Sequence, residues 1–352
     1  MLERLRKNLF LTFKNNETKV HELNYLFWEC TTRCNLNCLH CGSDCAKDSH
    51  HQDMPLNDFL TAIDTIKSRD RQITVVLTGG EPLLRNDLEA CGRAIRKRGM
   101  RWGMVSNGYL YTPEKHMSLL NAGMGSLTFS LDGLEDTHNW LRNSKQSFAR
   151  VNDAIDLAVS SSRLNFDVVT CVNQRNLNEL PAILKLLNVK GVKAWRLFTI
   201  APIGRAKENP ELMLTDGQFK ELMDFIVAAR KQKLIDVKFS CEGFTGSYEF
   251  KVRDGGFFCR AGINIGSVLI DGSISACPNI NRSFVQGNIY TDNFGEVWET
   301  RFKDFRNRDW ARKGQCEHCT DFKYCLGNGM HLWHGDKENV LVCYAEKSGN
   351  RS

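Results

Sequence analysis

Three cysteines in one short segment are the residues whose types and spacing most clearly predict chemistry in this chain. Cys34, Cys38 and Cys41 stand in the order Cys-x3-Cys-x2-Cys. Thiolates are the usual ligands of iron–sulfur clusters, and each of the four irons of a [4Fe–4S] cluster takes a terminal ligand. Three cysteines therefore predict a cluster in which one iron is left open to a small molecule.

A structural zinc site is the main alternative for this segment, because Cys-x2-Cys pairs also hold tetrahedral zinc. Zinc would need a further ligand, and Cys30 and Cys45 are close enough in sequence to supply it. The apolar run 23–28 comes just before the cysteines. We therefore expect the cysteines in a loop at the carboxyl end of a first strand.

The elements that position this loop follow from an alternation between residues 23 and 235. Short β-branched or aromatic runs are followed there by longer amphipathic ones, which predicts a parallel sheet covered by helices. Six such units predict an α/β fold, a partial (β/α)6 barrel of the TIM type, with ligands at the carboxyl edge of its strands. The predicted strands are Leu23–Glu29, Ile73–Leu77, Arg101–Val105, Ser126–Leu131, Phe166–Cys171 and Ala194–Phe198. The predicted helices are Leu56–Ser68, Asn86–Arg98, Pro113–Ala122, Ser147–Ser161, Leu177–Leu187 and Thr215–Lys233.

Composition is that of a globular protein, with 42% hydrophobic and 25% charged residues. The net charge of +6 arises from 47 basic and 41 acidic residues, an excess too small to indicate nucleic-acid binding. No apolar stretch reaches the roughly 20 residues of a membrane-spanning helix, and the N-terminus does not resemble a secretory signal. Fourteen cysteines without such a signal favour metal ligation in a reducing cytoplasm.

Small polar residues follow several of the predicted strands. The second strand ends in Gly79-Gly80-Glu81-Pro82, the third in Ser106-Asn107, and the fourth in Ser130-Leu-Asp132. At strand tips such side chains can bind a ribose or a carboxylate, although each one alone is equally typical of a turn or a helix N-cap. Their joint placement on successive strands favours a ligand site.

These motifs together resemble the radical S-adenosylmethionine (SAM) superfamily. The resemblance implies that the amino and carboxylate groups of SAM chelate the open iron, that the Gly-Gly-Glu-Pro segment holds the methionine amino group, and that residues at the next strand tips contact the ribose. His40 fills a position that is usually aromatic and is expected near the adenine, while Arg205 either lines the cavity or orders the loop. The implied SAM-binding residues are His40, Gly79, Gly80, Glu81, Ser106, Asn107, Ser130, Asp132, Asn173, Arg196 and Arg205.

After residue 236 glycine, cysteine and turn residues become dense. A hairpin is predicted over 267–276, turning at Asp271-Gly272, and one short helix over 294–305. The cysteines resemble the SPASM extension, which carries auxiliary iron–sulfur clusters. This implies an outer cluster on Cys316, Cys319, Cys325 and Cys343, and a possible inner cluster on Cys259 and Cys277.

One position departs from the SPASM pattern. Gly329 stands where the pattern has a cysteine, so the inner cluster lacks ligands. His331, His334 or Cys241 are candidates to replace them, and zinc remains an alternative for this region. The resemblance therefore implies at least one auxiliary [4Fe–4S] cluster and leaves the second open.

The resemblance also implies the activity. Cys34, Cys38 and Cys41 would support reductive cleavage of SAM to a 5′-deoxyadenosyl radical that abstracts hydrogen from a peptide or protein, with Cys241 as a candidate hydrogen donor. An external electron donor of the flavodoxin or ferredoxin type is implied. The alternatives are a step in haem-type tetrapyrrole synthesis and, from another class, an electron-transfer or zinc-scaffold protein. The expected parts are an extension (1–22), the barrel (23–235) and the SPASM-like domain (236–352).

Overall fold

The computed structural model describes residues 2–49, 51–67, 72–240, 242–335 and 337–349, so Cys241 lies outside the described residues. The strands are β1 Tyr25–Thr31, β2 Thr74–Gly79, β3 Arg101–Ser106, β4 Ser126–Ser130, β5 Asn165–Val172, β6 Ala194–Thr199, β7 Asp236–Phe239, β8 Ile265–Val268, β9 Ser273–Ser275 and β10 Gly287–Asn288. The α-helices are α1 Leu2–Val20, α2 Leu56–Ile63, α3 Leu88–Lys97, α4 Pro113–Asn121, α5 Glu135–Arg142, α6 Ser147–Val159, α7 Leu180–Lys190, α8 Asp216–Gln232, α9 Phe294–Thr300, α10 Lys303–Arg306, α11 Phe322–Cys325 and α12 Tyr344–Lys347.

All ten strands form one sheet in the order β10-β9-β8-β1-β2-β3-β4-β5-β6-β7. Neighbours from β1 to β7 pair in parallel, and β8 joins the other edge of β1, also in parallel. The sheet is open, since β7 and β10 are its two edges. The predicted α/β fold with a partial barrel is confirmed, and so is the hairpin, in which β8 and β9 pair antiparallel.

The two faces of the parallel sheet differ in burial. Side chains on one face are covered by helices: Trp28 stacks on Phe59 of α2 at a centroid distance of 4.1 Å, and Trp195 packs against Phe225 of α8. The other face, which we call the inner face, alternates with the first and remains partly exposed, as at Thr128 of β4. The apolar core therefore lies between sheet and helices, and the inner face is left for ligands.

Several elements were not predicted, among them β7, α5, α1 and the short β10, α11 and α12. The four residues of β7 are too few to give a clear alternation, and α5 has only eight residues in a turn-rich region. Helix α1 occupies most of the predicted N-terminal extension, and several of its apolar side chains, among them Leu5 and Leu9, stay exposed. The single helix predicted over 294–305 is instead two, α9 and α10, separated near Phe302, which is fully buried.

Among the described helices, none combines the length and the apolar character needed to cross a membrane.

Candidate active site

The cysteine loop after β1 is held by the segment that follows β6. Arg205 donates from Nε to the carbonyl of Cys38 (2.9 Å) and from Nη1 to the carbonyl of Cys45 (2.9 Å), and its backbone N–H donates to the carbonyl of Cys41 (3.0 Å). A Cβ on Gly204 would lie 2.3 Å from the Cys41 oxygen, so only glycine permits this approach. Of the two roles left open for Arg205, its contacts are those of a residue that orders the loop.

The cysteine sulfurs are not gathered as closely as a tetrahedral zinc site requires. Zinc binds sulfur at about 2.3 Å in a tetrahedron, which requires sulfurs within about 4 Å of one another. Within the described residues, the only group of three potential metal ligands whose donor atoms all lie within 4.8 Å contains a single cysteine. Cys30 is fully buried, and burial raises the pKa of its thiol, so it belongs to the core. Cys45 donates a hydrogen bond that lowers the pKa of Cys41 to about 6, which favours a thiolate there.

The two glycines after β2 allow the backbones of β1 and β2 to meet. A Cβ on Gly79, whose φ is +130°, would lie 1.9 Å from the carbonyl oxygen of Thr31, and one on Gly80 would lie 2.1 Å from that of Arg33. The backbone N–H of Gly80 donates to Thr31 (2.8 Å) and that of Glu81 to Arg33 (2.9 Å). The glycines therefore fix the start of the cysteine loop.

Glu81 joins the ends of β2 and β3. Its carboxylate is fully buried and accepts hydrogen bonds from the Ser106 hydroxyl (2.9 Å), the backbone N–H of Asn107 (2.8 Å) and that of Leu83 (3.1 Å). Burial raises the pKa of Glu81 to about 7, against these hydrogen bonds. The side chain is thus committed to protein donors.

Asn107 connects the tip of β3 to the cysteine loop. Its Nδ2 donates to Oδ1 of Asn35 (2.9 Å) and lies 3.9 Å from Sγ of Cys34. Two buried polar atoms of the loop, Nδ2 of Asn35 and Nδ1 of His40, have no hydrogen-bond partner among the described residues. A polar ligand bound beside the three cysteines would satisfy such atoms, so the loop fits a cluster with SAM.

An arginine that the sequence analysis missed links the tip of β4 to the cysteines. Arg142, at the end of α5, donates from Nε to the carboxylate of Asp132 (2.7 Å) and approaches Sγ of Cys38 at 3.6 Å. Burial would raise the pKa of Asp132, but Arg142 outweighs it and holds that pKa below its usual range. Asp132 also accepts from the backbone N–H of Cys171 (2.7 Å), and its own N–H donates to Nδ1 of His138 (3.0 Å).

His40, Asp132 and Cys171 form the only such group of close ligand atoms in the described residues. A metal cation at this place is disfavoured by the charge of Arg142 on the same carboxylate. Burial lowers the pKa of His40 to about 4, so its imidazole is neutral at physiological pH. These three side chains therefore form a polar wall beside the cysteine loop. Ser130, which is half-buried, ends β4 two residues before Asp132.

Asn173 and Arg196 are committed elsewhere. The side-chain oxygen Oδ1 of Asn173 accepts from the backbone N–H groups of Arg175 (2.9 Å) and Asn176 (3.2 Å), so it stabilises the turn after β5. Arg196 lies in the middle of β6 rather than at its tip, and it pairs with Asp167 on the inner face. The structure does not bring these two side chains to the cysteine loop.

The C-terminal cysteines surround two buried basic residues. Arg308 lies close to Cys259, Cys316 and Cys325, and burial lowers its pKa. Lys14 of α1 donates to the carbonyl of Tyr324 (2.8 Å), and burial lowers its pKa to about 8 although Cys325 and Cys259 act in the opposite direction. Buried positive charge beside several thiols suits a site that binds them as thiolates.

The structure groups the C-terminal cysteines differently from what their spacing in the sequence implies. Cys259, Cys325 and Cys343 pack against the same small apolar cluster of Phe244, Phe257 and Ala345. Cys316 and Cys319 share one turn, where the N–H of Cys319 donates to the carbonyl of Cys316 (3.4 Å). Cys259, which the resemblance assigns to an inner cluster, is thus placed with the outer set.

Gly329 is required by its surroundings. A Cβ there would lie 2.7 Å from the carbonyl oxygen of Glu242 and 2.6 Å from Cε1 of His331, so a cysteine would force the backbone apart.

Glu242 itself accepts from the backbone N–H (2.8 Å) and hydroxyl (2.6 Å) of Thr199. Burial raises the pKa of Glu242 to about 7 and lowers that of His331 to about 4.

A cavity of about 270 Å³ opens between the cysteine loop and the C-terminal region. Its walls are Gly42 and Ser43 after the third cysteine, Ile203, Gly204 and Lys207 after β6, and residues 278–282 after β9. His331, Trp333, His334, Leu341 and Glu29 complete it.

Comparison with known proteins gives matches over both parts of the chain. A family described as the Radical SAM superfamily matches residues 28–187, and an iron-sulfur cluster-binding domain, SPASM, matches residues 259–320. The AdoMet-dependent heme synthase of Methanosarcina barkeri is 28% identical, over 85% of this chain and 89% of that protein. The mycofactocin maturase MftC of Mycolicibacterium smegmatis is also 28% identical, over 87% of this chain and 77% of that protein. The solved structure of anSMEcpe with bound AdoMet and the Cp18Cys peptide has a TM-score of 0.71 at 19% identity, covering 93% of this chain and 94% of that one.

Proposed function

Since the chain is a radical SAM enzyme with an iron–sulfur cluster-binding SPASM domain, we propose that it abstracts hydrogen from a peptide or protein substrate bound in the cavity beside the cysteine loop. A [4Fe–4S] cluster and SAM are its cofactors, and the SPASM domain implies auxiliary iron–sulfur clusters. Together the first cluster and SAM supply a 5′-deoxyadenosyl radical. The single observation that carries the proposal is the cavity, which lies between the cysteine loop and the SPASM region.

The chain's own residues bind and orient the cofactors. We assign Cys34, Cys38 and Cys41 as the cluster ligands, with Arg205 holding their loop and Arg142 donating toward Cys38. The Glu81 carboxylate already accepts three hydrogen bonds. Any contact of that segment with the methionine amino group is therefore assigned to its backbone carbonyls rather than to the Glu81 side chain.

The remaining SAM contacts belong to the polar wall and the strand tips. We propose His40, Asn107, Ser130 and Asp132 for the adenosine, because His40 lies in the cysteine loop and the other three lie beside it at the ends of β3 and β4. Asn173 and Arg196 are weaker candidates, since both side chains are used inside the protein. Cys316, Cys319, Cys325 and Cys343 remain our proposed auxiliary ligands, with Cys259 beside them.

A peptidyl substrate is supported by the size of the cavity. At about 270 Å³ it is smaller than the roughly 300–1,000 Å³ of pockets that enclose drug-sized ligands, so it holds one side chain more readily than a whole macrocycle. The peptide-bound anSMEcpe structure and the relationship to the maturase MftC agree with this size argument.

A tetrapyrrole is the second candidate. It is favoured by relatives whose names place them in haem synthesis, including the heme synthase and the Fe-coproporphyrin III synthase of Methanosarcina barkeri, the latter 25% identical over 86% of this chain. With a cavity of this size, only the edge of a macrocycle would enter.

The test is anaerobic reconstitution followed by reduction and assay for 5′-deoxyadenosine. We expect product from the wild type, none from the triple variant Cys34→Ala/Cys38→Ala/Cys41→Ala, and a loss of about four irons with auxiliary iron retained. Cys91→Ala, which removes a buried thiol of α3, is the matched control and should keep activity. Purified protein that contains zinc without iron and forms no 5′-deoxyadenosine would refute the proposal.

Substrate and setting are tested separately. Mass spectrometry of candidate peptides and of Fe-coproporphyrin III after turnover would distinguish the two substrate classes. We further propose an external flavodoxin- or ferredoxin-type electron donor and a cytoplasmic location, the latter because none of the thirteen described cysteines is in a disulfide. We retain 1–22, 23–235 and 236–352 as proposed parts, with β7 extending the barrel sheet beyond residue 235.

A further inference from the structure

The cavity beside the cysteine loop has three walls from different parts of the chain. Ile203 and Lys207 come from the segment after β6, Arg282 from the segment after β9, and His334 from the loop near the C-terminus. The wall that contains Ile203 packs against the cysteine loop, since a Cβ added to Gly42 would lie 3.4 Å from the side chain of Ile203. A group bound in the cavity would therefore be held at a defined distance from the predicted cluster.

The charge of these walls is positive. Lys207 is exposed, and no ion pair is found for it among the described residues. Arg282 is half exposed, with 53% of its side chain accessible, and places Nη1 at 3.1 Å from Asp271. A guanidinium offers five N–H donors, so the contact to Asp271 leaves donors for a ligand.

Glu29 is the one carboxylate that lines the cavity among the described residues, and its side chain is buried. Glu29 is 3% exposed, and its Oε2 accepts from the backbone N–H of Ile270 at 2.9 Å. Burial raises its pKa. Nη2 of Arg282 pairs with Glu29 at 3.6 Å, so Arg282 is shared between Glu29 and Asp271, while Lys207 has no ion pair among the described residues.

Two of the buried side chains that line the cavity are apolar. Ile280 and Trp333 are 5% and 2% exposed, and the indole N–H of Trp333 is already used by the carbonyl of Gly327. His331 is neutral at physiological pH because burial lowers its pKa to about 4. The lining thus places the apolar side chains of Ile280 and Trp333 beside the basic side chains of Lys207 and Arg282, which suits an organic group that ends in an anion.

We propose that this cavity is a substrate-recognition site for a carboxylate, held by Arg282 and Lys207 with its carbon stem on Ile280 and Trp333. The inference deepens the proposed function and rests on it. Two sources share the chemistry: the side chain of an acidic residue in a peptide, and a propionate of a tetrapyrrole. Each would place a flexible chain that ends in a carboxylate in the cavity, while the rest of the substrate stays outside the cavity.

The test uses the reconstituted holoenzyme with SAM and two paired probes. One pair is Fe-coproporphyrin III and its methyl ester, measured by absorbance titration. The other is a pool of decapeptides with a central Asp or Glu and the matching pool with Asn or Gln, measured by anaerobic capture and mass spectrometry. We expect the acid of at least one pair to bind about tenfold more tightly than its neutral partner, and the pair that responds identifies the source.

The double variant Lys207→Gln/Arg282→Gln should lose that preference. Arg93→Gln, on an exposed face of α3 away from the cavity, is the matched control and should keep it. Neutral and acidic probes that bind equally, or a double variant that binds the acid as the wild type does, would overturn the inference. SAM cleavage without substrate is measured in parallel: if the wild type and double variant both form 5′-deoxyadenosine while the preference is absent, the recognition site fails and the proposed function stands.

Discussion

The buried pair of Arg142 and Asp132 gives the sharpest quantitative prediction. Asp132 is fully buried, and the side chain of Arg142 is 10% exposed. Removing one partner of a buried ion pair costs about 3–5 kcal/mol, because the other charge remains without compensation. Asp132 keeps the hydrogen bond from the Cys171 N–H at 2.7 Å, so we expect Arg142→Gln to lose about 3 kcal/mol of unfolding free energy.

The pH dependence follows from the direction of the pKa shift. In the wild type the folded-state pKa of Asp132 lies below its usual value, so the pair's contribution is complete above about pH 4 and is lost as pH falls through the folded pKa. Without Arg142 the pKa of Asp132 should rise. The difference between wild type and Arg142→Gln should therefore be largest near neutral pH and shrink in acid.

Urea denaturation of the apoprotein at several pH values measures this difference. The control is the double variant Asp132→Asn/Arg142→Gln, in which no charge is left buried, and it should be more stable than Arg142→Gln alone at pH 7. A loss below about 1 kcal/mol for Arg142→Gln, as for an exposed pair, would refute the reasoning. So would a double variant whose loss equals the sum of the two single losses, because the residues would then be independent.

Three further predictions concern the cluster loop and the junction of the two parts. Gly80→Ala places a Cβ 2.1 Å from the carbonyl oxygen of Arg33, so the iron that we assign to Cys34, Cys38 and Cys41 should fall by about four per chain in an iron assay. Unchanged iron would contradict the steric argument. Arg205→Ala removes three side-chain hydrogen bonds to the loop and should lower iron retention during dialysis, while Arg93→Ala should not. Burial raises the pKa of Glu242 from 4.5 to about 7. Between those pH values the folded state therefore holds a proton that the unfolded state has released. The wild type should lose about 3 kcal/mol of unfolding free energy relative to Glu242→Gln as pH rises from 4.5 to 7. A flat difference in thermal denaturation over that range would contradict the last prediction.

The sequence allowed the parallel sheet to be predicted because its six main strands are apolar enough to stand out between amphipathic helices. β7 and α5 are short, and their formation depends on tertiary pairing with β6 and α6. Because α5 was not predicted, the role of Arg142 was not predicted either. Nothing in this largely polar segment shows that its last arginine turns back toward Cys38.

Motifs located the candidate site but did not show how each residue acts. The Gly-Gly-Glu-Pro segment was expected to approach a ligand, whereas the glycines make room for Thr31 and Arg33, and the Glu81 carboxylate binds the end of β3. Cysteine spacing could not show that Cys259 packs with Cys325, because proximity across long loops depends on the fold and not on sequence distance.

The pairing of β8 with β1 has a consequence for motion. β1 carries the cysteine loop, and four of its residues, Tyr25 to Trp28, are in register with Ile265 to Val268. The barrel and the SPASM region therefore share backbone hydrogen bonds across this strand, and a rigid-body swing between them would have to break the ladder. We expect substrate to enter through rearrangement of surface segments such as 278–282, while segment 203–207 stays with the cysteine loop that Arg205 holds and the ladder keeps the barrel and the SPASM region at a constant separation. An electron passing between those regions would then cross the same gap whether or not substrate is bound.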